Sequence, residues 1–246
     1  MINPFTFHSV VVLTGAGISA ESGLKTFRDS GGLWEGHSID EVATPEGFVK
    51  NPDLVHTFYN QRRAQLLEEA QPNAAHKALA EFERAFSGRF TLITQNVDNL
   101  HEQAGSQNVL HMHGELLKVR CQECLQSITW QTGLNSDTVS PCCNVKGSLR
   151  PDIVWFGEIP MHMNHIEQVL EQCDLFISIG TSGQVYPAAG FVQLASFAGA
   201  QTVEINLEAC GRYSRFDHAI YGPATQVVGN FFDAKKNSST VALSSS

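Results

Sequence analysis

The sequence predicts an α/β fold: a doubly wound, parallel, Rossmann-like sheet with a small inserted zinc-ribbon lobe. Short apolar runs rich in Val and Ile alternate with helical segments, which is typical of a parallel sheet. Several of these runs end in glycines or small polar residues, where open α/β sheets bind ligands. A polar stretch with two cysteine pairs interrupts the alternation and indicates the lobe.

Length and composition fit one domain with an inserted lobe as well as they fit two domains. The chain has 246 residues, of which 42% are hydrophobic, and this suffices for one substantial core. We expect one domain over residues 1–232, with Rossmann-like parts at 8–120 and 150–232 and the lobe at about 121–148. Residues 233–246 are polar and Ser-rich and predict a disordered tail.

Charge and cysteine content limit which partners and which cellular location we expect for this protein. The formal net charge of −9 disfavours nucleic acid as a partner. No apolar run is long enough to span a membrane, and the N-terminus lacks the pattern of a signal peptide. Six cysteines without a secretory signal favour metal binding or free thiols over disulfides. We therefore expect a cytoplasmic monomer.

The first strand, at residues 10–14, is followed at once by a glycine turn. Gly15-x-Gly17-x-x-Ala20 matches the dinucleotide fingerprint, and a helix should follow with its N-terminus directed at a pyrophosphate. The acidic residue that ordinarily follows about 20 residues later is missing, because residues 28–35 are loop-like. The pattern therefore predicts either a dinucleotide site of variant geometry, covered by Phe27, Arg28 and Trp34, or a simple turn.

Two helices are expected next. Thr44 and Pro45 begin a helical region, and a longer helix covers residues 52–70. On that helix Tyr59 and Arg62 share a face at i, i+3 spacing. A phenol beside a guanidinium can hold a carboxylate, but spacing alone favours an exposed Arg beside a half-buried Tyr.

The strand at residues 90–94 leads into polar residues, Gln95-Asn96-Val97-Asp98, which indicate a site at its carboxyl end. Further on, His113 precedes Gly114 and fits a general base, or simply a turn.

Cys121 and Cys124, followed by Cys142 and Cys143, indicate a structural zinc ribbon. The second pair is adjacent, with no spacer. Either only one of Cys142 and Cys143 is a ligand and the site is incomplete, or their loop is distorted.

The C-terminal part predicts an edge strand within residues 149–158, a helix at 162–172 and strands at 173–179, 202–206 and 225–228. The edge strand can accept a peptide by strand addition, or it can simply connect elements. The next two strands end in small polar residues, which suit a ribose or an adenine.

Three ordered motifs resemble the sirtuin family. They are Gly15-Ala16-Gly17-Ile18-Ser19 with Phe27-Arg28, then Thr94-Gln95-Asn96-Val97-Asp98-Asn99-Leu100-His101, then His113-Gly114. The likeness extends from about Val10 to Val228. It implies that NAD is consumed as a co-substrate, that the zinc is structural, and that acylated-lysine proteins are the substrates.

The resemblance also implies a set of site residues. His113, Asn96 and Asp98 are the expected catalytic residues. The expected cofactor residues are Gly15, Ala16, Gly17, Ile18, Ser19, Glu21, Ser22, Phe27, Arg28, Trp34, Gln95, Asn96, Val97, Asp98, Gly180, Thr181, Ser182, Asn206, Leu207, Glu208 and Ala224. The expected substrate residues are Tyr59, Arg62, Val154, Trp155, Phe156 and Gly157, and the expected metal ligands are Cys121, Cys124, Cys142 and Cys143.

The implied activity is NAD-dependent removal of acetyl and succinyl groups, and also malonyl, from lysine, giving nicotinamide and 2'-O-acyl-ADP-ribose. ADP-ribosyl transfer to protein remains an alternative of the same family. A non-catalytic NAD-binding or zinc-ribbon module is disfavoured by the combination of His113 with Asn96 and Asp98. A redox dehydrogenase is disfavoured by the missing ribose-binding acid.

Overall fold

A computed structural model describes residues 2–24, 33–34, 36–209 and 215–233. Within these residues the chain forms eleven strands and eight α-helices. The strands are β1 Ser9–Thr14, β2 Leu33–Trp34, β3 His37–Ser38, β4 Arg89–Thr94, β5 Val109–His111, β6 Gly114–Cys121, β7 Ser127–Thr129, β8 Leu149–Ile153, β9 Leu175–Ile179, β10 Gln201–Asn206 and β11 His218–Tyr221. The helices are α1 Ile39–Val42, α2 Pro45–Lys50, α3 Pro52–Glu68, α4 Ala74–Ala85, α5 Leu100–Ala104, α6 Met163–Glu171, α7 Phe191–Phe197 and α8 Ala224–Phe231.

The main sheet has six parallel strands in the order β11-β10-β9-β1-β4-β5. All six residues of β1 are buried, as its apolar run predicts. The strand is paired on one side with β4 and on the other with β9. The chain order reverses between β1 and β9, which places a topological switch point at their carboxyl ends.

Helices cover both faces of this sheet. On one face α4 and α8 bury Leu79, Phe82 and Val228 against the strands. On the other face α6 and α7 contribute residues such as Leu170 and Phe191 to a second core cluster. Burial on both faces is what a doubly wound sheet requires.

The small lobe is built on an antiparallel sheet of order β7-β6-β8. This sheet runs from Gly114 to Ile153 and so extends beyond the expected lobe of residues 121–148 on both sides. A third core cluster joins it to α3 through residues such as Phe58, Leu116 and Trp155. The lobe is therefore packed directly against the helix that carries Tyr59 and Arg62.

Two expected elements were wrong. Residues 225–228 belong to α8 rather than to a strand, because Val228 and Phe231 recur at helical spacing and pack into the core. The last strand is instead β11, whose residues are mostly exposed and give little apolar signal. After the glycine turn the chain forms two short 3-10 turns, Ala16–Ile18 and Ala20–Ser22, where an α-helix was expected.

The start of α2 follows the expected cap, since Thr44 accepts a hydrogen bond from Gly47 N with Pro45 at the first helical position. The side chain of Asn73 caps α4 in the same way. Among the residues that the structure describes, no helix has the length and apolar character needed to cross a membrane.

Gly114 allows a test of the close approach between β6 and β8 in the lobe. Its φ is +83°, and an added Cβ would overlap the carbonyl oxygen of Asp152 on the paired strand. We expect Gly114→Ala to lower the free energy of unfolding by about 3 kcal/mol or more. Gly199 has a similar φ of +93° but open space around it, so Gly199→Ala should cost only about 1 kcal/mol. Urea unfolding would measure both values, and equal losses would contradict the steric argument.

Candidate active site

The predicted cofactor loops after β1 and β9 meet in direct backbone contact. Gly17 N donates to Gly180 O at 2.9 Å, and Gly15 N donates to Ile179 O at 3.0 Å. An added Cβ on Gly17 would lie 2.7 Å from Gly180 Cα, and Gly180 itself has a φ of +62°. Only glycine fits this crossing, so residues 15–19 and 180–182 line one crevice at the switch point.

A buried polar cluster forms the floor beside this crevice. Asn96 Nδ2 donates to Gly15 O at 3.2 Å and to Ser19 Oγ at 3.1 Å. Ser19 Oγ donates in turn to Asp98 Oδ2 at 3.0 Å, and Leu100 N donates to Asp98 Oδ1. Burial raises the pKa of Asp98 from its ordinary value. The cluster joins the loop after β4 to the loop after β1, and it places the predicted residues of both side by side.

His113 lies between β5 and β6 and is held by one hydrogen bond. Its Nδ1 lies 3.1 Å from Gln95 O, and because a carbonyl can only accept, Nδ1 carries the proton. Nε2 therefore keeps its lone pair. Burial lowers the pKa of His113, with the Gln95 bond opposing that shift, so the imidazole is neutral at pH 7.

The loops after β9 and β10 are also joined. Asn206 Nδ2 donates to Thr181 O at 2.8 Å, and Asn206 Oδ1 accepts from Leu207 N. Leu207 and Glu208 are exposed. These residues and Ser182 therefore follow the carboxyl ends of neighbouring parallel strands, as the sequence predicts.

Ala224 is the first residue of α8, and the N-terminus of that helix is capped from a distance. Glu21 accepts hydrogen bonds from Thr225 N at 3.0 Å and from Thr225 Oγ1 at 2.8 Å. The Glu21 carboxylate thus binds a helix N-terminus. Ser22 accepts from Asn73 Nδ2 at 2.9 Å, which ties the same loop to the start of α4.

Tyr59 and Arg62 lie on α3, which packs against the lobe. Both are more buried than an exposed Arg beside a half-buried Tyr would be. Tyr59 is wholly buried, and its hydroxyl accepts from Trp155 Nε1 at 2.9 Å. Arg62 Nε and Nη1 are buried without a hydrogen-bond partner among the described residues, while its guanidinium carbon lies 4.8 Å from the Phe58 ring centroid. Unpaired buried donors are costly, so this face of α3 is suited to receive an anion.

The remaining predicted residues lie around these two groups. Trp34, which the sequence predicts to cover the cofactor, packs edge-on against Phe58 and Tyr59. The expected edge strand ends at Ile153 and is buried, so Val154, Trp155, Phe156 and Gly157 form a loop after it. Phe27 and Arg28 lie outside the described residues.

The four predicted cysteine ligands converge. Their sulfur atoms all lie within 4.8 Å of one another, with Cys121–Cys143 and Cys124–Cys142 both at 3.3 Å. Left-handed residues, Leu125 and Asn144, directly follow the two pairs and turn the chain so that adjacent thiols face one point. The distorted-loop alternative is therefore the one observed. Hydrogen bonds, that from Cys124 N first, lower the pKa of Cys121 to about 5, which favours the thiolate that zinc binds. The cluster fits a tetrahedral structural zinc site.

Sequence analysis did not identify the residues that hold the site residues in place. His111 lies 2.7 Å from Glu102 and 3.3 Å from Asn96 O. Burial lowers the pKa of His111, but Glu102 outweighs it and the net shift is upward. Arg150, paired with Glu158, stacks on Trp155. Nothing in local sequence signals these pairs, because each partner is chosen by the fold.

Known proteins resemble this chain over most of its length. The Sir2 family model matches residues 15–187. Curated relatives named NAD-dependent protein deacylase include one from Salmonella typhimurium, 57% identical over 91% of this chain and 82% of its own, and one from Pasteurella multocida, 57% identical over 90% and 95%.

Solved structures agree with these matches. A Sir2 homologue in complex with NAD has a TM-score of 0.86 and 37% identity, covering 96% of this chain and 92% of its own. A mutant Sir2 homologue in complex with ADP-ribose has a TM-score of 0.86 and 37% identity, covering 97% and 95%. The fold, the paired glycine loops, the histidine site and these matches together place this chain in the Sir2 family.

Proposed function

We propose that this chain is an NAD-dependent protein-lysine deacylase that removes acetyl and succinyl groups, and also malonyl groups. The curated relatives carry the name of this enzyme, and the catalytic site of a deacylase needs a neutral base. The single observation that carries the succinyl specificity is the pair of buried, unpaired Arg62 nitrogens beside Tyr59.

The crevice suits NAD. Its backbone crossing at Gly17 and Gly180 leaves no room for side chains, and the Asn96 amide nitrogen is used within the chain. Asn96 Oδ1 then remains as an acceptor for the nicotinamide amide, beside Asp98 and with Ile18 nearby in the β1 loop. Bound NAD would supply a ribose carbon, which the acyl carbonyl oxygen attacks as nicotinamide leaves, and a neighbouring ribose hydroxyl that receives the acyl group.

His113 acts as the general base in this proposal. The Gln95 carbonyl holds the proton on Nδ1 and so directs the Nε2 lone pair away from the loop. Nε2 takes the proton from the ribose hydroxyl that attacks the acyl carbon. Water then completes the release of free lysine and 2'-O-acyl-ADP-ribose.

Arg62 and Tyr59 would bind the distal carboxylate of a succinyl or malonyl group. Arg62 offers two buried donors, and the Tyr59 proton meets no acceptor among the described residues. A carboxylate satisfies such donors with charge-assisted hydrogen bonds. An acetyl group has no carboxylate, so it would gain nothing from them.

The acyl-lysine peptide would lie along residues 154–157. The N–H groups of Val154, Trp155 and Phe156 are already donated to His113 O, Glu158 and Ala43 O. Peptide pairing would therefore use the carbonyl groups of this loop, or Gly157. We also propose that the protein is a monomer in the cytoplasm. The cytoplasmic location agrees with the described cysteines, which are free thiols rather than disulfides.

Mass spectrometry of one peptide in succinyl-lysine and acetyl-lysine forms, with and without NAD, tests the function. We expect NAD-dependent loss of both groups, with nicotinamide and acyl-ADP-ribose formed. Loss of acetyl alone would contradict the carboxylate clamp but would still support a deacylase. Loss of neither, with label from NAD appearing on protein, would favour ADP-ribosyl transfer instead.

The pH dependence of kcat/KM tests His113. A general base must be neutral, so activity should fall as pH decreases through the pKa of His113, which burial places below its ordinary 6.5. His113→Ala should lose about 100-fold or more at neutral pH. The exposed His165 serves as the control, since His165→Gln should leave the profile unchanged. Full activity of His113→Ala at high pH would contradict the assignment.

Arg62→Met tests the clamp. It should reduce kcat/KM for the succinyl peptide at least about 30-fold, because one charge-assisted hydrogen bond contributes ~2 kcal/mol, and should retain much of the deacetylase activity. Arg84→Met removes the same charge from an exposed position on α4 and should change neither. Equal loss of both activities in Arg62→Met would count against the clamp.

A further inference from the structure

Among the residues that the structure describes, the Tyr59 hydroxyl makes a single hydrogen bond. The side chain is wholly buried among Trp34, Phe58 and Trp155, and its oxygen lies 2.9 Å from Trp155 Nε1. The two residues are 96 positions apart in the chain and come from α3 and from the loop after β8. The contact therefore links the acyl side of α3 to the peptide loop.

The chemistry of this pair fixes which atom donates. An indole N–H can only donate, whereas a phenol has one donor and two acceptor lone pairs. The shared hydrogen bond must use a lone pair of the Tyr59 oxygen, so the phenolic proton points away from Trp155. Burial raises the pKa of Tyr59, and the hydroxyl keeps that proton at any working pH.

Trp155 is itself rigidly held. Glu158 accepts from Trp155 N at 2.8 Å and from Arg150 Nη1 and Nη2 at 2.7 and 2.9 Å. The Arg150 guanidinium carbon then lies 3.5 Å from the Trp155 ring centroid. The Arg150–Glu158 ion pair therefore holds Trp155 at two points, because Glu158 binds its backbone N–H and Arg150 packs on the face of its ring. These contacts fix the direction of the indole N–H.

We propose that Trp155 is a positioning residue for acyl specificity: its indole N–H orients the Tyr59 hydroxyl as a donor toward the carboxylate of a succinyl or malonyl group. The proposal rests on the deacylase function and on the Tyr59–Arg62 clamp, and it adds a third residue to them. Without this N–H the hydroxyl can turn its lone pairs, rather than its proton, toward the carboxylate.

A double-mutant cycle tests the proposal. Wild type, Trp155→Phe, Tyr59→Phe and the double variant are compared by kcat and KM on one peptide in succinyl and acetyl forms at saturating NAD. Trp155→Phe should lower the succinyl-to-acetyl ratio of kcat/KM about tenfold, mainly through a higher KM for the succinyl peptide. In the Tyr59→Phe background the same change should leave the ratio unaltered, because the hydroxyl that it orients is gone.

Trp130→Phe is the matched control. It removes an indole N–H bond to Gly133 O within the lobe, rather than a bond to Tyr59, and should not change the ratio. If Trp155→Phe does not fold, a benzothienyl isostere of tryptophan placed at position 155 removes only the N–H and keeps the ring shape.

The outcomes separate the two proposals. An equal effect of Trp155→Phe in both backgrounds, or an unchanged ratio in the wild-type background, overturns the role of Trp155 and leaves the deacylase function intact. A wild-type enzyme that removes acetyl but not succinyl overturns both the clamp and this role. A wild type that removes neither group overturns the deacylase function itself.

Discussion

The pairing of β1 with β4 and β9 is the constraint on which the site depends. Because both pairs are parallel, Thr14 ends level with Thr94 on one side and with Ile179 on the other. The three loops that follow these residues therefore leave the sheet at one edge. The Gly17–Gly180 contact then closes two of them together, and Asn96 bonds the third to Gly15 and Ser19. The crevice is thus a consequence of strand register.

Two adjacent arginines on α3 differ in how their buried donors are paired. Arg63 is as buried as the core, and its Nε and Nη1 donate to Leu116 O, Asn60 Oδ1 and Thr132 O, whereas its Nη2 has no partner among the described residues. Burial lowers the pKa of Arg63 to about 10. The neighbouring Arg62 leaves both Nε and Nη1 buried without an acceptor among the described residues. Leaving donors unpaired costs stability, and a ligand that pairs them recovers that cost on binding. The contrast between adjacent arginines is why we propose a ligand-binding role for Arg62 and a structural one for Arg63.

Sequence alone predicted the elements whose signals are local. The buried run of β1, the cap at Thr44, and the polar ends of β4 and β9 were all predictable from residue type and spacing. Helix α8 was mistaken for a strand because Val227 and Val228 favour strands locally, whereas Phe231, three residues later, fixes the helical face only in the packed core. The Trp155–Tyr59 bond and the Glu21 cap on α8 join distant residues, so no local pattern could reveal them.

Helix α3 is held from two sides, and this fixes its rotation relative to the lobe. Asn60 donates to Leu134 O at 2.7 Å and accepts from Leu134 N and Arg63, which fixes one side of the helix to the lobe. On another side Tyr59 accepts from Trp155, itself clamped by Arg150 and Glu158. With the helix fixed in rotation, the Cα–Cβ bond of Arg62 keeps its direction relative to the lobe. The lobe therefore preorganises the part of α3 that carries Tyr59 and Arg62, and preorganisation of this kind reduces the entropy lost when a ligand binds.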